Sequence, residues 1–253
     1  MRPTPTVRPL RTHAEYRACV ALQRATWGER FDDAVPASIL GVVQRIGGVS
    51  AGAFDEADRM LGFVFGMTGV QDGRIVHWSD MLAVIPEARD RGVGRMLKSY
   101  QRRMAEAVGA EVMYWTYDPL VARNAHLNIN VLGARPVEYV RDMYGDTGSV
   151  LHAGLGTDRF VVAWPLGPGA DRRSMPDDAE MPDDAGPDGG ALSDDLVRVE
   201  IPLDIHAVLA RDAGRAAAWR AATREALERA LALGYRVTGF ARDDTHGAYL
   251  LTR

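Results

Sequence analysis

One cysteine, Cys19, stands among 253 residues, so no internal disulfide can form and no oxidising compartment is indicated. It lies in an amphipathic helical pattern with Val20 and Leu22, which suits a small buried residue better than a catalytic thiol. Long hydrophobic runs are missing too. No stretch approaches the ~18 consecutive apolar residues of a membrane span. The opening MRPTPTVRPLRTH has no apolar core of a secretory signal. A cytoplasmic location and no membrane partner are therefore expected. Positive charge is scarce: 30 Lys and Arg against 34 Asp and Glu give a formal net charge of -4. That balance argues against a nucleic-acid partner, because such binding rests largely on neutralised phosphates. No Cys/His cluster has zinc-ligand spacing, and no Ser-His-Asp set has a recognisable context. No metal is expected.

What is present reads as a globular chain with room for a sizeable core. Periodicity predicts a strand over Val7–Leu10 and a helix over Thr12–Trp27, with Thr12 as N-cap. Pro36 opens a second helix over Ala37–Ile46, and Gly47-Gly48 ends it. Strands are expected at Val49–Phe54, Leu61–Thr68 and Ile75–Val84. A helix should start at Gly92 and Gly94 and run to about Val108, then a strand over Val112–Tyr117. A helix over Leu120–Leu132 and strands at Pro136–Val140 and Arg159–Leu166 follow. The order β-α-α-β-β-β-α-β-α-β-β predicts an α/β (α+β) fold. Its sheet is mixed and mostly antiparallel, with helices on both faces.

Residues 167–193 are rich in Pro, Asp, Gly and Ala, carry the repeat MPDDAE–MPDDAG and lack aromatics. Such a stretch buries too little to offset its ordering entropy and reads as a flexible acidic linker. It separates an expected domain at 1–166 from a small β-α-β-β unit at 194–253. An offset of 101 residues aligns 122–139 (ARNAHLNINVLGARPVEY) with 223–240 (TREALERALALGYRVTGF) without gaps. The last unit is therefore expected to repeat the second half of the main fold.

The informative stretch is Asp80 to Leu97, DMLAVIPEARDRGVGRML. A strand ends, a short loop turns, and a helix starts at Gly-x-Gly. Glycine admits unusual φ and close backbone approach. The first amides of the helix then point at one spot, where the dipole is positive. That is an anion site suited to a pyrophosphate, and Arg89, Arg91 and Arg95 add donors. A dinucleotide fingerprint needs a third glycine where Leu97 stands, and a P-loop needs a missing Gly-Lys-Ser/Thr.

The full pattern, Leu82-x-Val84-x-Pro86 followed by Arg89-x-x-Gly92-x-Gly94 and a helix, resembles the acyl-CoA loop of the GNAT acyltransferase superfamily. The resemblance covers about residues 5–166. The strings WTYDPLVARNAHLNINVLGA (115–134) and TDRFVVAW (157–164) look like a predicted bacterial subfamily with the same C-terminal extension. The resemblance implies acetyl-CoA or another short acyl-CoA such as succinyl-CoA as co-substrate. Pantetheine would run along Leu82, Ala83 and Val84. The amides of Arg91, Gly92, Val93, Gly94 and Arg95 would hold the pyrophosphate, and Asn128 would bond pantetheine or acceptor. The acceptor would be the amine of a small molecule, an amino acid among the options, and a homodimer is compatible.

By the same resemblance an amine attacks the thioester directly, a carboxylate takes its proton and a helix tyrosine protonates the leaving thiolate. That tyrosine normally stands four residues before the helix-ending glycine, where this chain has Ile129. His126 and Tyr144 are the replacement candidates for the acid. Asp80, on the strand before the cofactor segment, is the candidate base. Alternation puts His77 and Ser79 on one face of that strand, with Trp78 and Asp80 on the other. Asp158-Arg159 could hold an acceptor carboxylate. The missing tyrosine also motivates a non-catalytic acyl-CoA-binding module as an alternative, and the C-terminal unit motivates a protein acetyltransferase.

Overall fold

The computed structural model describes residues 4–150, 154–167 and 196–253. The expected linker therefore lies outside the described residues apart from Gly167. The chain falls into two compact units. One comprises Met1–Trp115, Asp146–Ala153 and Trp164–Ala170. The other comprises Thr116–Gly145, Gly154–Ala163 and Asp171–Arg253.

In the first unit β1 (Thr6–Pro9) leads to α1 (His13–Trp27) and α2 (Ala37–Arg45), then β2 (Val49–Phe54), β3 (Met60–Gln71), β4 (Arg74–Val84) and α3 (Val93–Ala107). Thr12 and Glu15 close a reciprocal capping box at the start of α1. The β3–β4 hairpin turns on Asp72 (φ 51°) and Gly73 (φ 76°), both left-handed, as a type I′ turn requires. Leu10, Cys19, Leu40, Val43, Phe63 and Phe65 form a core on the α1–α2 face of the sheet. Val49, Ala51, Leu61, Val64, Val93 and Leu97 form a second core on the α3 face. Val93 and Leu97, four apart on α3, are 1% and 0% exposed, which contributes roughly 1.5–3 kcal/mol each. They fix α3, and hence its first turn, against β3 and β4.

The seven-stranded sheet has the order β1-β2-β3-β4-β5-β7-β6, with β5 (Val112–Tyr117), β6 (Arg135–Val140) and β7 (Arg159–Pro165). β4 and β5 are parallel, while β1–β2, β2–β3, β3–β4 and β6–β7 are antiparallel. The mixed, mostly antiparallel sheet expected from element order is present.

The second unit holds α4 (Ala122–Ala125), β8 (Leu196–Pro202), α5 (Ile205–Arg211), α6 (Ala213–Ala232), β9 (Arg236–Arg242) and β10 (His246–Thr252). β8, β10 and β9 make a separate three-stranded sheet in that order. Two stretches share a strand order, in which the last of three strands is seated between the other two, as β5-β7-β6 and as β8-β10-β9, with helical segments joining the first strand to the second in each. Phe160 centres an aromatic cluster with Tyr117, Tyr139 and Tyr249 at 5.9, 5.5 and 5.4 Å. Arg224 clamps Asp158 through two bonds of 2.8 and 2.6 Å.

Two elements depart from expectation. The helix expected over Leu120–Leu132 is one α-turn followed by a π-helix, His126–Val131, in which the Leu132 amide donates to the Leu127 carbonyl at 2.9 Å. Asn130 spends its side-chain amide on the Phe240 carbonyl at 2.8 Å, a tertiary bond that local periodicity does not register. The β-α-β-β reading has one helix there, whereas the structure has two, α5 and α6. Asp204 and Asp212 cap them, accepting from Ala207 and Arg215 amides at 3.0 and 2.9 Å.

Candidate active site

The phase of hydrogen bonding along β4 decides which residues have backbone groups to offer. The Ile85 amide donates to the Leu61 carbonyl at 2.9 Å. By the two-residue alternation of an antiparallel ladder, Ala83 and Met81 also turn their backbone towards β3. Leu82 and Val84 therefore turn theirs to the opposite edge. On that edge the ladder with β5 covers only Val76–Trp78 against Val112–Tyr114 among the described residues, although β4 runs on to Val84. The strands part there, and Leu82 and Val84 line the opening. The Val84 carbonyl accepts a 3.3 Å bond from Arg89 Nε. Ala83 sends its methyl into the α1–α2 core.

After β4 comes a 3₁₀ turn, Pro86–Ala88, then Asp90 at φ 56° and Gly92 at φ 73°. Gly92 is the N-cap of α3 and, having no side chain, caps nothing. A Cβ at Gly92 would meet nothing within 4 Å, so its φ rather than crowding calls for glycine. Among the described residues no acceptor is found for the amides of Arg91, Gly92, Val93 and Gly94. The first turn of α3 carries no acidic residue. Arg91 and Arg95 are exposed beside it. This donor set, with the positive helix end, fits a diphosphate.

One bulge completes the strand. Between Phe65 and Gly66 the register against β4 shifts by one, leaving Asp80 as the extra residue. The shift exchanges faces. Before it, His77 and Ser79 meet Gln101 and Lys98 of α3; after it, Leu82 and Val84 pack with the α3 core, and Met81 and Ala83 join the other. Asp80 is exposed. Desolvation in the crease of the bulge, and then the Asp33 carboxylate, raise its carboxyl above the ordinary range, against a lowering bond from the Trp78 side chain.

Buried His77 is a satisfied core residue. Thr68 Oγ1 gives its proton to the Gly47 carbonyl at 2.7 Å, so His77 Nδ1 donates to Thr68 Oγ1 at 3.0 Å. Nε2 then accepts from Gln101 at 3.1 Å. Burial pushes its pKa down to about 4, and Lys98 in its protonated form acts in the same direction.

No family model and no curated protein matches this sequence. Solved structures do. NAA60 of Arabidopsis thaliana, in complex with a bisubstrate analogue, superposes with a TM-score of 0.52 at 15% identity, covering 65% of this chain and 99% of its own. The phosphinothricin acetyltransferase of Sinorhizobium meliloti, a GNAT superfamily protein in complex with acetyl-CoA, gives 0.50 at 17% identity over 69% and 97%. A chain of the NatC complex, bound to Gag peptide and CoA, gives 0.51 at 14% identity over 65% and 100%.

This chain has the GNAT fold.

In the second unit, the segment expected to carry the acid is a π-helix, His126–Val131. Counting four residues back from Gly133 to Ile129 presumes an α-helix. In the π-helix the bonds step back by five, so the residue one turn before Gly133 is Asn128. That side chain is 5% exposed. His126 Nδ1 lies 3.2 Å from Asn130 Nδ2. The Asn130 amide is oriented by its bond to the Phe240 carbonyl, so its nitrogen donates and His126 Nδ1 accepts. The imidazole is thereby held in the neutral Nε2–H form, and burial followed by the Arg242 charge lowers its pKa further. In this geometry His126 accepts a hydrogen bond through Nδ1.

Tyr144 sits on the loop after β6, 38% exposed. Its hydroxyl lies 3.0 Å from Thr116 Oγ1 at the end of β5, and its ring lies 5.4 Å from the Arg159 guanidinium. Arg159 stands 3.8 Å from Asp118, which Arg220 grips at 2.6 Å. Arg220 Nε reaches the Leu155 carbonyl at 2.9 Å, while Nη1 is buried with no hydrogen-bond partner among the described residues. Sequence reading takes Asp158-Arg159 as able to hold an acceptor carboxylate and does not single out Arg220, because only the fold brings α6 to the end of β5. It likewise missed Lys98, which sits in an amphipathic helix where a lysine is ordinarily solvated. No helix among the described residues is long and apolar enough to cross a membrane, and they contain no His/Cys/Asp/Glu group able to hold a metal.

Proposed function

We propose that this chain transfers an acetyl or other short acyl group from acyl-CoA to the amine of a small molecule by direct attack. The observation carrying the reading is the edge of β4 at Leu82 and Val84, which no strand pairs among the described residues. It leads within one short loop to a left-handed Gly92 and an uncapped helix start. An extended amide-bearing arm ending in a diphosphate matches that succession: strand edge for the arm, helix amides for the anion.

Asp80 takes the proton from the incoming ammonium, a role supported by its exposure and raised carboxyl. Tyr144 supplies the proton to the leaving thiolate, supported by its accessible hydroxyl beside Thr116. An acceptor with its own carboxylate, such as an amino acid, is supported by Arg159 and the unsatisfied Nη1 of buried Arg220. The test is release of thiol from acetyl-CoA and succinyl-CoA against a panel of amines, with amino acids and their amides paired. Turnover preferring the free acid supports the whole reading. Binding of acyl-CoA without turnover on any amine would leave a binding module instead.

A further inference from the structure

The point where β4 and β5 part holds a pair of groups that direct transfer does not use. Ser79 is the first residue of β4 beyond the last rung with β5, and Trp115 is the first beyond it on β5. Lys98 of α3 spans the two: Nζ lies 2.7 Å from Ser79 Oγ and 3.8 Å from the centroid of the Trp115 ring. Ser79 is 4% exposed and Lys98 5%. We propose that Ser79 and Lys98 are a nucleophile–base dyad that captures the acyl group as an ester on Ser79 when no acceptor is bound, giving the protein a slow acyl-CoA hydrolase activity.

Burial alone displaces the pKa of Lys98, with no charged partner acting on its amine among the described residues. A buried ammonium without a counter-charge is costly, and burial lowers the pKa of this amine well below the ordinary lysine value. A neutral amine keeps a lone pair, and the hydroxyl beside it is Ser79. Lysine paired with serine is a recurring way to activate a hydroxyl. His77, two residues back on the same face, cannot compete as base, since both its ring nitrogens are engaged. Access rests on the proposed cofactor reading, in which the acyl arm follows the β4 edge from Val84 towards Ser79, about 16 Å of strand.

The chemistry balances as follows. Ser79 Oγ attacks the thioester carbonyl and its proton passes to Lys98 Nζ. The C–S bond breaks and the thiolate leaves with that proton as free thiol. Water then attacks the ester, one proton returns to Ser79 Oγ, and the carboxylic acid departs. The sum is acyl-CoA plus water to acid plus CoA thiol. With an acceptor in place the amine reaches the thioester first.

The full chain is incubated with acetyl-CoA and no amine. The expected result is a burst of thiol approaching one equivalent, then slow steady release. Intact-mass measurement should show one acetyl group added, removed from the denatured protein by alkaline hydroxylamine and mapped to Ser79. Ser79→Ala and Lys98→Met should each lose the burst, and Ser79→Ala should keep the acetyl-CoA-induced rise in Tm. A wild-type protein whose Tm rises with acetyl-CoA but gains no acetyl group overturns the dyad alone. So does a hydroxylamine-stable amide on Lys98, or a burst that persists in Ser79→Ala. No Tm rise with any acyl-CoA removes the cofactor reading and the dyad with it.

Discussion

A negative charge placed in the first turn of α3 is the sharpest perturbation of the proposed diphosphate site. Gly94 is the position to use. Unlike Gly92 it does not occupy the left-handed region, and a Cβ there would meet only Leu82 Cδ2 at an ordinary 3.8 Å. Gly94→Ala should therefore fold. Gly94→Glu should even gain roughly 0.3–1 kcal/mol, because an acid in a first turn complements the helix dipole. Against a bound diphosphate the same carboxylate is repulsive. Two unit charges about 5 Å apart at an effective dielectric near 20 cost about 3 kcal/mol. Wild type at ~100 times Kd gains about 2.7 kcal/mol from binding. For a chain of this size that is a Tm rise of roughly 5–10 °C. The repulsion cancels most of it, so Gly94→Glu should show a rise below about 1 °C while its unliganded Tm equals or exceeds wild type. Differential scanning fluorimetry with CoA and acetyl-CoA reads both numbers. A full ligand-induced rise in Gly94→Glu would place the anion elsewhere and refute the argument.

Three further outcomes are expected. The unfolded state binds a proton on His77 near pH 6.5, whereas the folded state resists it to about pH 4; wild type should lose up to about 3 kcal/mol as pH falls through that window, and His77→Gln should flatten this limb in urea titrations across pH. Arg224→Met strips two bonds from Asp158, whose side chain is fully buried, and should lower stability by about 3 kcal/mol, seen as a lower denaturant midpoint at unchanged m-value. Asp80→Asn should cut kcat by roughly 10²–10⁴ yet leave the acyl-CoA-induced Tm rise intact; a loss of that rise would make Asp80 a binding residue rather than the base.

The strands and long helices were legible because each keeps one period over its length. α3 carries Val93, Leu97 and Ala105 on one buried stripe, and the β3–β4 hairpin is announced by Gln71-Asp72-Gly73. The loop from Pro86 to Gly94 was legible for a different reason: an anion cradle is made of backbone, so the sequence needs only glycines at the right spacing. Side-chain chemistry was less readable. The bulge at Asp80 is set by pairing with β3, and no residue type marks it. Asn130 in the π-helix bonds the Phe240 carbonyl, 110 residues away in sequence. Arg220, four residues before Arg224 on α6, finds Asp118 only through the tertiary fold. Lys98 looks like a solvated lysine until Ser79 and Trp115 close over it.

The choice between His126 and Tyr144 as proton donor follows from the same long-range contacts and can be read in a pH profile. An imidazolium at His126 needs protons on both ring nitrogens, yet Nδ1 faces a donor fixed by the Phe240 carbonyl. Its pKa is depressed below 6.5 while the Asp80 carboxyl is raised, so the pH window in which an imidazolium acid and an ionised Asp80 coexist is narrowed from both sides. Working through His126, kcat would peak in a narrow acidic band and fall towards neutrality. Working through Tyr144, it rises once as Asp80 ionises and then holds, because a phenol keeps its proton across the neutral range. We expect the second form between pH 5 and 8, with His126→Gln retaining the plateau and Tyr144→Phe lowering it. A descending limb below pH 7 that disappears in His126→Gln would return the proton to the imidazole. It would also mean that the Asn130 amide turns over during the reaction, breaking its bond to β9.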